Sequence, residues 1–85
     1  MAKFAVEVRV MPRGSLLDPQ GQAVEHALGA LGFDAMGSVR VGKALTFELD
    51  RQDRAAAERD ARLMCERLLA NPVTEDFTLT VRSAQ

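Results

Sequence analysis

Val39-Arg40-Val41-Gly42-Lys43-Ala44-Leu45-Thr46-Phe47-Glu48-Leu49 can be folded in two ways, and the choice sets the topology. A tight hairpin at Gly42-Lys43 places Val41 opposite Ala44 and Val39 opposite Thr46. Those valines would then lie on the face away from Leu45, Phe47 and Leu49. A strand that runs through with a bend or bulge at Gly42 keeps Val39, Val41, Leu45, Phe47 and Leu49 on one side. The bent strand is favoured because it keeps the apolar set together, and a longer, bulged hairpin is the alternative.

The flanking sequence supplies the remaining elements. Phe4, Val6, Val8 and Val10 alternate with Ala5, Glu7 and Arg9, the period of a strand with one buried face, and Pro12 and Gly14 end it. Asp18 can cap a helix that opens with Pro19, whose missing N–H would be unpaired there anyway. Val24, Ala27, Leu28 and Leu31 then form one helical stripe that Gly32 stops, and Gln22, Glu25, His26 and Gly29 fall on the other side. A second helix starts near Asp53 with Ala57, Ala61, Met64, Cys65 and Leu68 inward, and ends at Asn71-Pro72. Phe77, Leu79 and Val81 alternate as a last strand. The order strand, helix, bent strand or hairpin, helix, strand predicts one α+β domain over residues 1–85, a two-layer sandwich with both helices on one sheet face. The other face would carry Ala5, Glu7, Arg9, Thr46, Glu48, Thr78, Thr80 and Arg82, and meet water or a second copy.

Charge and composition narrow the function classes. Eleven basic and 12 acidic residues give a net charge of −1, so no general field steers nucleic acid or a membrane surface to this chain. The absence of Tyr and Trp removes the stacking side chains of an RNA-binding sheet, and the phenylalanines fall on core positions. The single Cys65 can form no internal disulfide, no apolar run approaches the roughly 20 residues of a membrane span, and the start Met1-Ala2-Lys3-Phe4 lacks a signal-peptide core. A cytoplasmic protein is expected.

No catalytic or metal-binding set emerges. Cys65 lies on a core-facing stripe and reads as a packing residue, whereas His26 lies on the outer side of the other helix. Gly37-Ser38-Val39-Arg40-Val41-Gly42-Lys43 has the spacing of a phosphate-binding loop. Ala44, however, replaces the Ser or Thr that would hold magnesium, and a strand follows where a helix is needed.

Asp18, Pro19, Gln20 and Gly21 at the first helix start, Arg40, Gly42 and Lys43 in the middle, and Asn71 and Pro72 after the second helix each read either as local structure or as contacts with a partner, with Gly42 a backbone bend and Arg40 and Lys43 solvated charges on the first reading. Asp18 and Pro19 are explained by capping, and Asn71-Pro72 is first a helix stop. Gly21 is a poor helix former in a first turn, which suggests close approach by another chain.

Leu17-Asp18-Pro19-Gln20-Gly21, Ala27-Leu28, Leu31-Gly32, Val39-Arg40-Val41-Gly42-Lys43 and Leu68-Leu69-Ala70-Asn71-Pro72-Val73, in this order and spacing, resemble the PurS family along nearly the whole chain. These are small subunits of phosphoribosylformylglycinamidine synthase. Arg13-Gly14-Ser15 departs from the pattern as a short insertion, and the second helix is unusually rich in arginine. The resemblance implies a non-catalytic subunit that bridges a glutaminase and a large ATP-dependent synthetase and helps ammonia pass between them. It also implies a homodimer or tetramer. ATP, Mg and glutamine would be used by the partner subunits, with no cofactor in this chain, no nucleic acid and no membrane. A free-standing oligomer that binds a small regulatory molecule is the alternative.

Overall fold

The computed structural model describes residues 1–14 and 16–84; Ser15, within the segment read as an insertion, and Gln85 lie outside the described residues. The strands are β1 (Ala2–Pro12), β2 (Lys43–Arg51) and β3 (Glu75–Ser83), and the helices are α1 (Pro19–Ala30) and α2 (Arg54–Met64), the latter continued by a π turn over Cys65–Leu69. The sheet order is β2-β1-β3 and both pairings are antiparallel. The α+β class and the element order are as the sequence predicts.

The central strand carries the core because it is flanked on both sides. Val6 stands opposite Phe47 and Val81, and Val8 opposite Leu45 and Leu79, so the inward side chains of three strands form one apolar surface. Val8 and Val10 are fully buried and Val6 nearly so. Ala57, Ala61 and Cys65 of the α2 run cover them, and these small side chains let the helix approach the valines closely. Asp53 caps α2 by accepting from the Ala56 N–H at 2.9 Å. Arg51 of β2 donates to Asp60 of α2 at 2.7 Å, and Arg62 lies over the Phe77 ring of β3, 5.8 Å from its centre.

Three sequence expectations are corrected. The first concerns α1, which does not lie on the sheet. Gly21 is its one buried residue, Val24 and Leu31 of the apolar stripe are 42% and 73% exposed, and the molecule extends 52 Å, well beyond the roughly 37 Å of an 11-residue strand. An amphipathic stripe requires a cover; it does not specify which surface supplies it. The second concerns Gly42. The strand begins at Lys43, opposite Val10, so Val39 and Val41 belong neither to a bent strand nor to a hairpin but to a segment returning beside α1. The third concerns Leu68, which is 82% exposed because the π turn replaces i+4 spacing by i+5. Ala70 donates to the Cys65 carbonyl at 3.0 Å and takes the inward place.

α1 and its return therefore form an arm. At its tip Gly32 donates to the Gly29 carbonyl at 3.1 Å and Phe33 to Leu28 at 3.0 Å, the paired bonds of a Schellman stop at the predicted residue. The chain then comes back through Val39, Arg40 and Val41 to the end of the sheet it left.

Candidate functional site: a polar clamp at one end of the sheet

The clamp is built from residues at the C-terminal end of β1, where β2 and β3 both begin. Asp18, 8% exposed, uses both carboxylate oxygens. The Gly21 N–H donates to Oδ1 at 3.1 Å, which is the helix cap, and the Val41 N–H donates to Oδ2 at 2.9 Å, which ties the returning segment to the helix start. The Arg40 Nε stands 4.0 Å from Oδ2. The Val41 N–H bond first, then that from Gly21, and then the Arg40 charge hold the Asp18 carboxyl below its ordinary value of 3.8 against the opposing effect of burial.

Two glycines let backbones cross here. A Cβ on Gly21 would stand 2.1 Å from the Val39 carbonyl oxygen, and one on Gly42 would stand 2.3 Å from the Val10 carbonyl oxygen. The close approach inferred at Gly21 is thus made by this chain's own return segment. Glu25 secures the same segment by accepting from the Val39 N–H at 3.3 Å.

Arg13 links this group to the turn before β3. Its side chain donates to the Pro72 carbonyl at 2.7 Å and faces Asp76 at 3.4 Å, while its N–H donates to the Thr74 carbonyl at 3.0 Å. Its own carbonyl, with that of Leu16, accepts from the Arg40 guanidinium, the latter at 3.0 Å. Asp18, Gly21, Arg40, Gly42 and Pro72 are thereby gathered at one end of the sheet, with Lys43 at the start of β2. Pro19, Gln20, Lys43, Asn71 and Pro72 are exposed there. Arg13 and Glu25 are the contributors that residue patterns miss. Arg13 sat in an apparent insertion and acts across 59 residues of sequence on backbone carbonyls, which leave no signature.

Asn71 also orders its own turn. Its Oδ1 accepts from the Val73 N–H at 2.8 Å, and its N–H donates to Glu75 at 2.8 Å. Cys65 is fully buried in the core, and burial pushes its thiol above the ordinary value. His26 is exposed on the arm. Among the described residues no group of three His, Cys, Asp or Glu side chains could hold a metal ion, and no helix is long and apolar enough to cross a membrane.

Fold and site together define a class: a three-stranded α+β domain that carries a clamped helical arm and keeps its one thiol sealed. The model of the PurS family, phosphoribosylformylglycinamidine (FGAM) synthase, matches residues 5–83. The PurS subunit of phosphoribosylformylglycinamidine synthase from Bacillus subtilis is 40% identical over 92% of this chain and 92% of its own length; that of Mycobacterium leprae is 43% identical over 89% and 92%. Among solved structures, B. subtilis PurS superposes with a TM-score of 0.85 at 39% identity, covering 94% of this chain and 99% of that one. A chain of PurLQS from Thermotoga maritima gives 0.88 at 27% identity, covering 96% and 100%. The chain belongs to the PurS family, subunits of the FGAM synthase of purine biosynthesis.

Proposed function

We propose that this chain is a non-catalytic connecting subunit of FGAM synthase, working in the cytoplasm and joining a glutaminase subunit to a large ATP-dependent synthetase subunit. Glutamine, ATP and Mg would be handled by those partners, and the assembly would shelter ammonia on its way between them. The PurLQS structure, in which a PurS-like chain occurs with PurL and PurQ, supports the choice of partners. The observation that carries the reading is the clamp. Residues 18–21, 40–43 and 71–72 are distant in sequence, yet Arg13 and Asp18 fix them as one surface at a single end of the sheet. A rigid surface loses little freedom on binding, which favours docking over chemistry.

The sealed Cys65 and the remote, exposed His26 form no nucleophile and base pair, which agrees with a connecting role. Reconstitution tests it. With the glutaminase and synthetase subunits, glutamine, ATP and formylglycinamide ribonucleotide, adding this chain is expected to raise glutamine-dependent turnover at least tenfold, and Arg13→Ala to remove most of that gain. Equal turnover with and without the chain would refute the proposal. A small ligand that raises the melting temperature of the isolated chain would instead favour a regulatory binding domain.

A further inference from the structure

The sheet face turned away from α2 carries side chains that a connecting role leaves unused. Alternation along the strands brings Ala5, Glu7 and Arg9 of β1, Thr46 and Glu48 of β2, and Thr78, Thr80 and Arg82 of β3 to it. The register sorts them into rows. Ala5 stands between Glu48 and Arg82, and Glu7 stands between Thr46 and Thr80. With strands about 4.8 Å apart, the Glu48 and Arg82 backbones lie roughly 10 Å from each other across the single methyl group of Ala5. A row that is short in the middle and long at both sides hollows the face.

The hollow has a volume of about 360 Å³, and Ala5, Glu7, Thr46, Glu48, Thr80 and Arg82 line it. That volume falls in the range of small-molecule sites, roughly 300–1,000 Å³. Its charges are not satisfied within the chain. Opposite charges on neighbouring strands stabilise a sheet when they stand directly across from each other, whereas here a threonine flanks Glu7 on each side and an alanine separates Glu48 from Arg82. Among the described residues Glu7 and Arg82 make no ion pair and no side-chain hydrogen bond. Glu48 has an exposed contact with Lys3 at 3.8 Å, which in water binds it weakly. The hollow therefore presents a free cation on one wall, carboxylates on its floor and opposite wall, and two hydroxyls.

We infer that this hollow binds a free α-amino acid with a neutral, polar side chain. The Arg82 guanidinium is a planar fork that fits the α-carboxylate with two parallel bonds, and Glu7, with Glu48 beside it, takes the α-ammonium. The Thr46 and Thr80 hydroxyls can each donate or accept, which suits a side-chain carboxamide. A side-chain carboxylate would meet the like charges of Glu7 and Glu48, and an aliphatic side chain would give the hydroxyls no partner. The site goes beyond the connecting role and is tested separately from it. In reconstitution a chain carrying Arg82→Ala should still raise turnover; a native chain that binds the amino acid and gives no gain would uphold the site and refute the connecting role.

Calorimetric titration of the whole chain with L-glutamine should give saturable binding with a Kd of about 1 mM or tighter. Glutamate and leucine should bind at least fivefold more weakly. N-acetylglutamine, which lacks the ammonium, and glutamine α-amide, which lacks the carboxylate, should each bind at least tenfold more weakly. Arg82→Ala and Glu7→Gln should each lower the affinity for glutamine at least tenfold, while Arg9→Ala, on the same face but outside the hollow, should leave it unchanged. The blocked amino acids are titrated into the native chain, so they decide the matter should a variant fail to fold. No saturable binding up to about 10 mM glutamine, equal binding of glutamine and its blocked forms, or an affinity indifferent to both Arg82→Ala and Glu7→Gln would overturn the inference.

Discussion

The body of this protein and its arm are held by different forces. In the body, Val6, Val8, Val10, Ala57, Ala61, Cys65 and Val81 are buried to 2% exposure or less, so removal of apolar surface from water supplies the cohesion. In the arm, no apolar side chain of α1 is buried, and its base is fixed by Asp18, Arg40, Glu25 and the carbonyls they meet. The body resembles a small globular core of the ordinary kind. The arm resembles a lever with a firm pivot and a bare surface, which is the arrangement expected when the covering surface belongs to another molecule.

The contrast breaks first at the body. Val8→Ala removes two methyl groups from a fully buried position on the central strand, a loss of roughly 2–3 kcal/mol. Thermal melting followed by circular dichroism should fall by about 10–20 °C for a chain of this size. A shift of only a few degrees would mean that the strand packing is looser than its burial indicates.

The second effect is smaller and confined to the arm. Gly21→Ala drives a Cβ into the Val39 carbonyl, so the returning segment must shift, at a cost of about 1–3 kcal/mol. Hydrogen exchange should show the α1 amides losing protection while the β1 amides keep theirs. Equal loss in both would show that arm and body unfold as one unit.

The smallest effect depends on pH. Because the folded environment lowers the Asp18 pKa, its stabilising contribution is complete above the ordinary value of 3.8 and is lost as the pH falls through the lower folded value. Acid titration should therefore release the α1 amides below pH 3.8 in the native chain. Asp18→Asn should remove that step and leave exchange moderately faster, by several-fold, at neutral pH. A native arm equally protected on both sides of this range would assign the clamp to Arg40 and Glu25 instead.

The body was legible in the sequence because strand alternation and burial are the same fact seen twice. Phe4, Val6, Val8 and Val10 had one face to fill, and they fill it. The caps at Asp18 and Asp53 and the stop at Gly32 were legible because they act within a few residues. The seat of α1 was not, since Val24, Ala27, Leu28 and Leu31 ask for an apolar cover without specifying which chain brings it. Leu68 was misplaced because helical periodicity assumes a uniform turn, and the turn widens after Met64. At the site, the Asp18 cap was legible by type and position, whereas Arg40, read as a partner contact or a surface charge, bonds carbonyls of its own chain. The partners that give them meaning, Val39, Val41 and the carbonyls of Arg13 and Leu16, are main-chain groups that every residue possesses.

The π turn has one more consequence. Between Met64 and Ala70 it inserts a phase offset into an otherwise regular helix, so everything downstream is indexed one step later than α-helical counting would place it. Leu68 faces outward and Asn71-Pro72 arrives under Arg13 only in that frame. In this segment side-chain chemistry is open to exchange at an exposed position such as Arg67. The number of residues is not, because a change of one there would turn the outward surface around the helix axis and carry Pro72 away from Arg13.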